Sequence, residues 1–132
     1  MITRFAPTET ALSIQQEELI ARTKRFAIAS VRLYRVLPKS NEAQVLGKQF
    51  LRSGTSVAAN YRAVCRARSR AEFVAKLGLV LEEADESLFW LELIRDCGIM
   101  QAEKLTRIMR EALELTSIFS PAQRTARTRP GS

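Results

Sequence analysis

The chain has 132 residues, enough for one domain and too few for two well-buried ones. Its apolar content of 46% and charged content of 27% are typical of a soluble globular protein, and no apolar run approaches the ~20 residues of a membrane span. The formal charge is +7, and the absence of histidine removes the commonest general base and the usual zinc and di-iron ligand. Composition therefore argues against an enzyme, a cofactor and a metal site.

The N-terminal residues lack the apolar segment of a signal peptide, so we expect a cytoplasmic protein without a membrane anchor. The two cysteines, Cys65 and Cys97, are far apart in the sequence and match neither a metal knuckle nor a redox pair. We interpret both as small buried apolar residues.

The first two helices are predicted from about residue 14 to 37 and from about 42 to 65. Pro38 ends the first helix, and Ser40 or Asn41 can cap the second. The first helix has residues at the 4-3-4-3-4 spacing of a buried bundle face: Leu19, Thr23, Phe26, Ser30, Leu33 and Leu37. The residues expected on the inward face of the second helix are Leu46, Phe50, Val57, Tyr61 and Val64.

The third helix begins at a capping box formed by Ser69 and Glu72 and runs to about residue 97, where Gly98 suits the position beyond its end. The fourth helix is predicted from about residue 102 to 120, ended by Pro121. No strand-like alternation competes, and short links favour antiparallel neighbours. The sequence predicts an all-α protein: a flexible N-terminus over 1–13, an antiparallel up-down four-helix bundle over 14–120, and a disordered basic tail over 121–132.

Charge is divided between the two halves of the chain. Residues 19–70 contain twelve Lys or Arg and one acid, whereas residues 71–120 contain five bases and ten acids. This division suits a polyanionic partner, self-association of unlike faces, or both. Eight basic residues are predicted on the outward faces of the first two helices: Lys24, Arg25, Arg32, Arg35, Lys48, Arg52, Arg62 and Arg66. They indicate either an ordinary solvated surface or a surface that contacts phosphates without base specificity.

The third helix is apolar nearly all round. Either its neighbours cover more of it than an ideal bundle would, or a second stripe packs against another subunit, with Trp90 as the anchor. In the second case the two acids of the stripe could pair with arginines of a neighbouring subunit. The stripe, which we call the outer stripe, consists of Leu79, Glu82, Glu86, Phe89, Trp90 and Leu93.

Two polar residues near the inner face of the second helix, Ser56 and Asn60, are expected to be structural. The Asn60 amide needs a partner there, for which we expect a hydrogen bond to the third helix or its cap. Serine and asparagine without a base form no nucleophile.

Three segments of the chain resemble the bacterial four-helix bundle proteins, also called 23S rRNA intervening sequence proteins: RSGTSVAANY (52–61), RARSRAEF (66–73) and LEEADESLFWLEL (81–93). The resemblance covers roughly residues 20–118, and Ser56, Asn60, Ser69, Glu72 and Phe73 match the pattern. That pattern usually has a glutamate shortly after the asparagine, where this chain has 62–64 as RAV.

The resemblance implies a small cytosolic bundle that assembles into a homopentameric barrel and has no established enzymatic activity. Related accessory proteins of diversity-generating retroelements form similar pentamers with a basic surface that binds nucleic acid and the reverse transcriptase. The sequence thus suggests a non-enzymatic homo-oligomer that binds nucleic acid, either RNA or a duplex backbone, without sequence specificity. The alternative is a protein–protein adaptor or structural oligomer that binds no nucleic acid.

Overall fold

The computed structural model describes residues 9–128, and it describes side chains from Ile14 onward. The described chain is all α-helical, as predicted, and contains no strand. Its four helices are α1 (Glu9–Val36), α2 (Asn41–Val64), α3 (Arg70–Asp96) and α4 (Ala102–Thr128). None of them combines the length and the apolar character that a membrane crossing requires.

The core lies between the four helices and is built from the inward faces that the spacing predicts. Each helix contributes large buried side chains, among them Phe26, Phe50, Leu91 and Phe119. The rings of Phe26 and Phe50 meet edge to face with centroids 6.5 Å apart, which joins α1 to α2. The periodic positions therefore do form the hydrophobic core.

Local capping sets where the helices begin and end. The hydroxyl of Ser40 accepts a hydrogen bond from the backbone N–H of Ala43, and that of Ser69 accepts one from Glu72 at 3.0 Å. Gly98 has a φ of 70°, the left-handed conformation that glycine adopts without strain beyond a helix end. These three features confirm the predicted boundaries of α2 and α3 to within a residue or two.

The backbones of α1 and α2 come close together at Gly54 of α2, where no side chain separates them. A Cβ atom placed on Gly54 would lie 2.9 Å from the Cβ of Ser30 and would clash with the Ser30 hydroxyl. Ser30 is fully buried and donates its hydroxyl to the carbonyl of Phe26, so it has no room to withdraw. The two helix backbones can approach this closely only where one side chain is absent.

On its other side α2 packs against α3 through a pair of buried serines. The hydroxyl oxygens of Ser53 and Ser87 lie 3.1 Å apart, and both side chains are fully buried. Each hydroxyl also reaches a carbonyl of its own helix, so the pair leaves no polar atom unsatisfied.

The first and last helices meet over a short stretch, where an arginine joins them. Arg22 of α1 donates from Nε to Glu111 Oε2 and from Nη2 to Glu114 Oε1, both at 2.7 Å. The hydrogen bond to Glu111 is the main reason that the pKa of Arg22 is raised, with Glu114 adding to it. We call this contact the Arg22 clamp.

The prediction that Pro121 ends the fourth helix is wrong, because α4 continues through Pro121 to Thr128. Proline removes one helical hydrogen bond, and contacts with α3 offset the loss. Arg70 donates from Nε to the carbonyl of Ala126 at 2.9 Å, and the Gln123 amide lies against Gly78. The expected disordered tail over 121–132 is therefore helical as far as 128, and 129–132 lie outside the described residues.

The other end of the predicted bundle also differs. The helix predicted to begin at residue 14 begins at Glu9, so the segment expected to be flexible over 1–13 is helical from 9 onward. Residues 1–8 lie outside the described residues. The helical segment is thus 9–36 rather than 14–37, because helical geometry propagates one residue at a time once a turn is formed.

We predict that Gly54→Ala lowers the free energy of unfolding by about 1–3 kcal/mol, because the added methyl group overpacks the contact with Ser30. The measurement is chemical denaturation followed by circular dichroism. The matched control is Gly78→Ala, whose methyl group would meet only the flexible end of Gln123, 2.7 Å away. Since alanine is favoured over glycine inside a helix by up to about 1 kcal/mol, the control should be neutral or stabilising. Equal destabilisation by both changes would contradict the close-approach explanation.

Candidate nucleic-acid interface

The eight cations proposed as phosphate contacts all lie on the surface of the bundle. Because Phe26 and Phe50 hold the inner faces of α1 and α2 in the core, the opposite faces point to solvent. The cations on these outward faces are all exposed: Lys24, Arg25, Arg32, Arg35, Lys48, Arg52, Arg62 and Arg66. We call these eight side chains the basic surface.

Only one residue of the basic surface forms an ion pair within residues 9–128. Arg52 donates from Nη1 to Glu83 at 3.3 Å and from Nη2 to Glu86, both on α3. The other seven cations have no carboxylate within ion-pair distance among the described residues. A phosphate would have to displace two carboxylates to reach Arg52, whereas the remaining cations are available as they stand.

Beside the basic surface, an open groove of about 530 Å³ separates the end of α2 from the beginning of α3. We call it the α2–α3 groove. Four cations and one acid line it together with two alanines: Ala59, Arg62, Ala63, Arg66, Arg68, Glu72 and Lys76.

Sequence reasoning missed Arg68 and Lys76 as members of this cluster. Arg68 lies in the connector between the helices, and Lys76 lies in the half of the chain that carries mostly acids. The capping box at Ser69 and Glu72 was the available signal, since it fixes where α3 begins and hence which residues face the end of α2. Inside that box Glu72 accepts from the backbone N–H of Arg68 at 3.4 Å.

The outer stripe of α3 remains open to solvent in the single chain. Leu79 is 47% exposed and Phe89 is 50% exposed, so neighbouring helices do not cover them. Trp90 is half-buried, its ring centroid lies 5.0 Å from that of Phe89, and its Nε1 donates to Glu86 at 3.0 Å. Leu93 is also half-buried. The neighbouring helices therefore leave Leu79 and Phe89 uncovered, whereas Trp90 packs in part against the core.

The two acids of the outer stripe point to different neighbours. Glu86 forms an ion pair with Arg52 of its own chain. The sequence alone instead suggests a pair with an arginine of a neighbouring subunit. Glu82 is exposed and lines a second groove, of about 670 Å³, between α3 and α4. Two acids, three hydroxyl residues, one arginine and two apolar residues line that groove: Leu81, Glu82, Asp85, Thr116, Ser117, Ser120, Pro121 and Arg124.

The residues expected to be structural divide into two pairs. Ser69 and Glu72 form the predicted cap of α3. Ser56 and Asn60 are half-buried, but no side-chain hydrogen bond of either is found within residues 14–128, so the expected bond from Asn60 to α3 is absent there. Ser53 makes the buried polar contact with α3 instead, because it lies on the side of α2 that packs against that helix.

Among residues 9–128, no three Cys, Asp or Glu side chains converge as a metal ligand set would. Of the two cysteines, Cys65 is buried as expected, whereas Cys97 is exposed because it follows the last residue of α3. Burial raises the pKa of the Cys65 thiol and is also the main cause that raises the pKa of the neighbouring Tyr61 phenol. Both groups are neutral at pH 7, which makes Cys65 a poor nucleophile.

We predict that one thiol per native chain reacts with a soluble disulfide reagent and that the second reacts only after unfolding. The reactive thiol is Cys97, since Cys65 is both buried and protonated. The release of the chromophore with and without denaturant measures this directly. Cys97→Ser should abolish the native reaction, and a native reaction that survives in this variant would show that Cys65 is accessible.

The comparisons with known proteins agree with this architecture. A family model described as 23S rRNA-intervening sequence protein matches residues 15–120. A crystal structure of a protein of unknown function from the S23 ribosomal protein family of Bacteroides thetaiotaomicron VPI-5482 is similar, with 34% sequence identity and a TM-score of 0.77. The similarity covers 83% of this chain and 98% of that one. No curated protein matches. The chain therefore belongs to the 23S rRNA-intervening sequence protein family.

Proposed function

We propose that this protein is a non-enzymatic, cytoplasmic homo-oligomer of antiparallel up-down four-helix bundles whose basic surface binds the phosphate backbone of nucleic acid, with RNA as the expected ligand. The observation that carries the proposal is the basic surface itself. Seven of its eight cations are exposed and have no carboxylate partner among residues 9–128. Arrays of unpaired cations bind a phosphate backbone through the release of counterions, without any base-specific contact.

The up-down arrangement is supported by the order of contacts along successive helices. In α1 and α2, Ser30 lies against Gly54 while Leu37, later in α1, lies against Gly47, earlier in α2. In α3 and α4, Arg70 meets Ala126 while Arg95 approaches Met109. Contacts that advance along one helix and retreat along the next are those of antiparallel neighbours.

Binding through phosphates rather than bases is supported by the position of the aromatic side chains. The two tyrosines of α1 and α2 face inward: Tyr61 is buried, and Tyr34 is half-buried with its hydroxyl bound to Gln44. Neither offers the exposed ring on which an unpaired base would stack. The name of the family, which refers to 23S rRNA, supports RNA as the nucleic acid.

Homo-oligomerisation is supported by the outer stripe, where Leu79 and Phe89 are about half exposed beside Trp90. An exposed apolar patch with an aromatic anchor is typical of a protein–protein interface. The pentamer implied by the family resemblance is the specific expectation. Repeating the basic surface in each subunit would strengthen weak phosphate contacts through avidity.

The outer stripe would also suit a different protein as partner. This observation favours a protein–protein adaptor as the second candidate function.

We predict that the purified protein binds labelled RNA with an affinity that falls steeply with salt. About five phosphate contacts would give a slope of log K against log salt near −3.5 to −4.5. Fluorescence anisotropy between about 50 and 200 mM salt, with structured RNA and matched duplex DNA, measures the slope and the preference.

The test variant is Arg25→Gln, Arg32→Gln and Lys48→Gln, which removes three exposed cations of the basic surface. Its matched control is Arg107→Gln, Arg110→Gln and Lys104→Gln, which removes the same three charges from exposed positions on α4. The test variant should lose at least about tenfold in affinity and flatten the slope by about 2, whereas the control should remain close to the wild type. Absence of RNA binding by the wild type at low salt would overturn the proposal and favour the adaptor.

We predict that Phe89→Glu lowers the native mass of the assembly, because it places a charge in the middle of the outer stripe. The exposed position of Phe89 in the single chain means that the fold should tolerate the change. Leu113→Glu on α4, where the leucine is 54% exposed, is the matched control and should leave the mass unchanged. Native mass spectrometry gives the subunit number. A monomeric wild type, or an assembly that survives both Phe89→Glu and Trp90→Glu, would contradict an interface on this stripe.

A further inference from the structure

The α2–α3 groove brings four cations together around one space, and two of them, Arg62 and Arg66, belong to the basic surface. Arg62 comes from the last turn of α2, Arg66 and Arg68 from the connector, and Lys76 from the second turn of α3. These four cations surround a single space although they come from three different elements. The sequence counts Lys76 with the acidic half of the chain, and only the fold brings it here.

The charge of the groove is not neutralised within the described part of the chain. None of the four cations has an ion-pair partner among residues 9–128. Glu72 is the one acid that lines the groove, and its Oε1 accepts from the backbone N–H of Arg68. The lining therefore keeps a net positive charge of three, from four cations and one acid.

Helix stability accounts for only part of this arrangement. Cations near the end of α2 interact favourably with the negative end of its dipole, which explains Arg62 and Arg66. Arg68 immediately precedes Ser69, the N-cap of α3, and lies near the positive end of that dipole, where a cation is disfavoured. A bound anion would relieve the repulsion among the cations and that between Arg68 and the helix.

The shape of the groove suits a ligand larger than a single ion. Ala59 and Ala63 also line the groove, and their small side chains leave its space open. Its volume of about 530 Å³ lies within the range of about 300–1,000 Å³ that is usual for ligand pockets. Three of the four cations are arginines, whose planar guanidinium groups bind phosphate oxygens in pairs.

We propose that the α2–α3 groove is a phosphate-binding site that holds adjacent phosphate groups of one RNA strand. The proposal deepens the proposed function and rests on it, because it assigns one place where the strand is held. The rest of the basic surface then supplies weaker, more diffuse attraction. A free di- or triphosphate has the same chemistry as adjacent backbone phosphates and would occupy the same groove.

The experiment compares three variants, each of which loses two arginines and one lysine. The groove variant is Arg66→Gln, Arg68→Gln and Lys76→Gln. The other two are the basic-surface variant Arg25→Gln, Arg32→Gln and Lys48→Gln and the α4 control Arg107→Gln, Arg110→Gln and Lys104→Gln. Circular dichroism and native mass spectrometry check that each variant is folded and assembled like the wild type. If the groove variant fails this check, it is replaced by the double variant Arg66→Lys and Arg68→Lys. Lysine keeps the positive charge but cannot bind two phosphate oxygens at once as a planar guanidinium group does.

Two ligands are titrated, single-stranded RNA by anisotropy and inorganic pyrophosphate by calorimetry. The groove variant should lose at least about tenfold more RNA affinity than the basic-surface variant, although both lose the same charge. Pyrophosphate should bind the wild type and the α4 control but not the groove variant, and it should compete with RNA. The lysine replacement should weaken pyrophosphate binding while preserving the salt slope of RNA binding.

The outcomes separate the two proposals. If the wild type binds RNA and both the groove variant and the basic-surface variant weaken equally, the groove is overturned and diffuse phosphate binding stands. If the wild type binds pyrophosphate in the groove but no RNA, the phosphate site stands with a free polyphosphate as its source, and nucleic-acid binding is overturned. If the wild type binds neither ligand, both proposals fail.

Discussion

The close approach of α1 to α2 is the constraint on which the orientation of the outer surfaces depends. Gly54 leaves room for Ser30, while the neighbouring residue, Ser53, is held against Ser87 of α3. Two successive residues of α2 thus contact the helices on its two sides, and rotation of α2 would produce a clash at Gly54 or break the buried contact between Ser53 and Ser87. Because the inner face is fixed in this way, the opposite face, with Lys48 and Arg62, must point to solvent. The basic surface is a consequence of how tightly the core packs.

Two arginines join the basic half of the chain to the acidic half within the described residues: Arg22, through the Arg22 clamp, and Arg52. Arg52 of α2 binds Glu83 and Glu86 of α3, and Glu86 also accepts from the indole N–H of Trp90. The same carboxylate thus links a member of the basic surface to the aromatic anchor of the outer stripe. The division of charge along the sequence therefore does not produce two unconnected faces. Arg52 differs from the other seven cations of the basic surface because it is paired with two carboxylates of the acidic half.

Features that depend on local sequence were predictable, and features that depend on distant contacts were not. Apolar spacing and caps such as Ser69 depend on residues within a few positions of one another, so they identified the helices and nearly all of the core. Pro121 is a helix breaker by any local rule, yet α4 passes through it because Arg70, about fifty positions earlier, binds the carbonyl of Ala126. The α2–α3 groove is another case: Lys76 becomes a neighbour of Arg62 only when α3 packs against α2.

The Arg22 clamp would affect the number of released counterions that is inferred from the salt dependence of nucleic-acid binding. It is the contact that joins α1 to α4 where those helices meet, and its groups are partly exposed, so dissolved ions weaken it as they weaken phosphate contacts. α1 also carries four members of the basic surface. Rising ionic strength would then loosen the support of the helix that displays those cations while screening the cations themselves. The number of counterions inferred from the salt dependence would then include a contribution from the ion pairs of Arg22, in addition to the counterions that the nucleic acid releases.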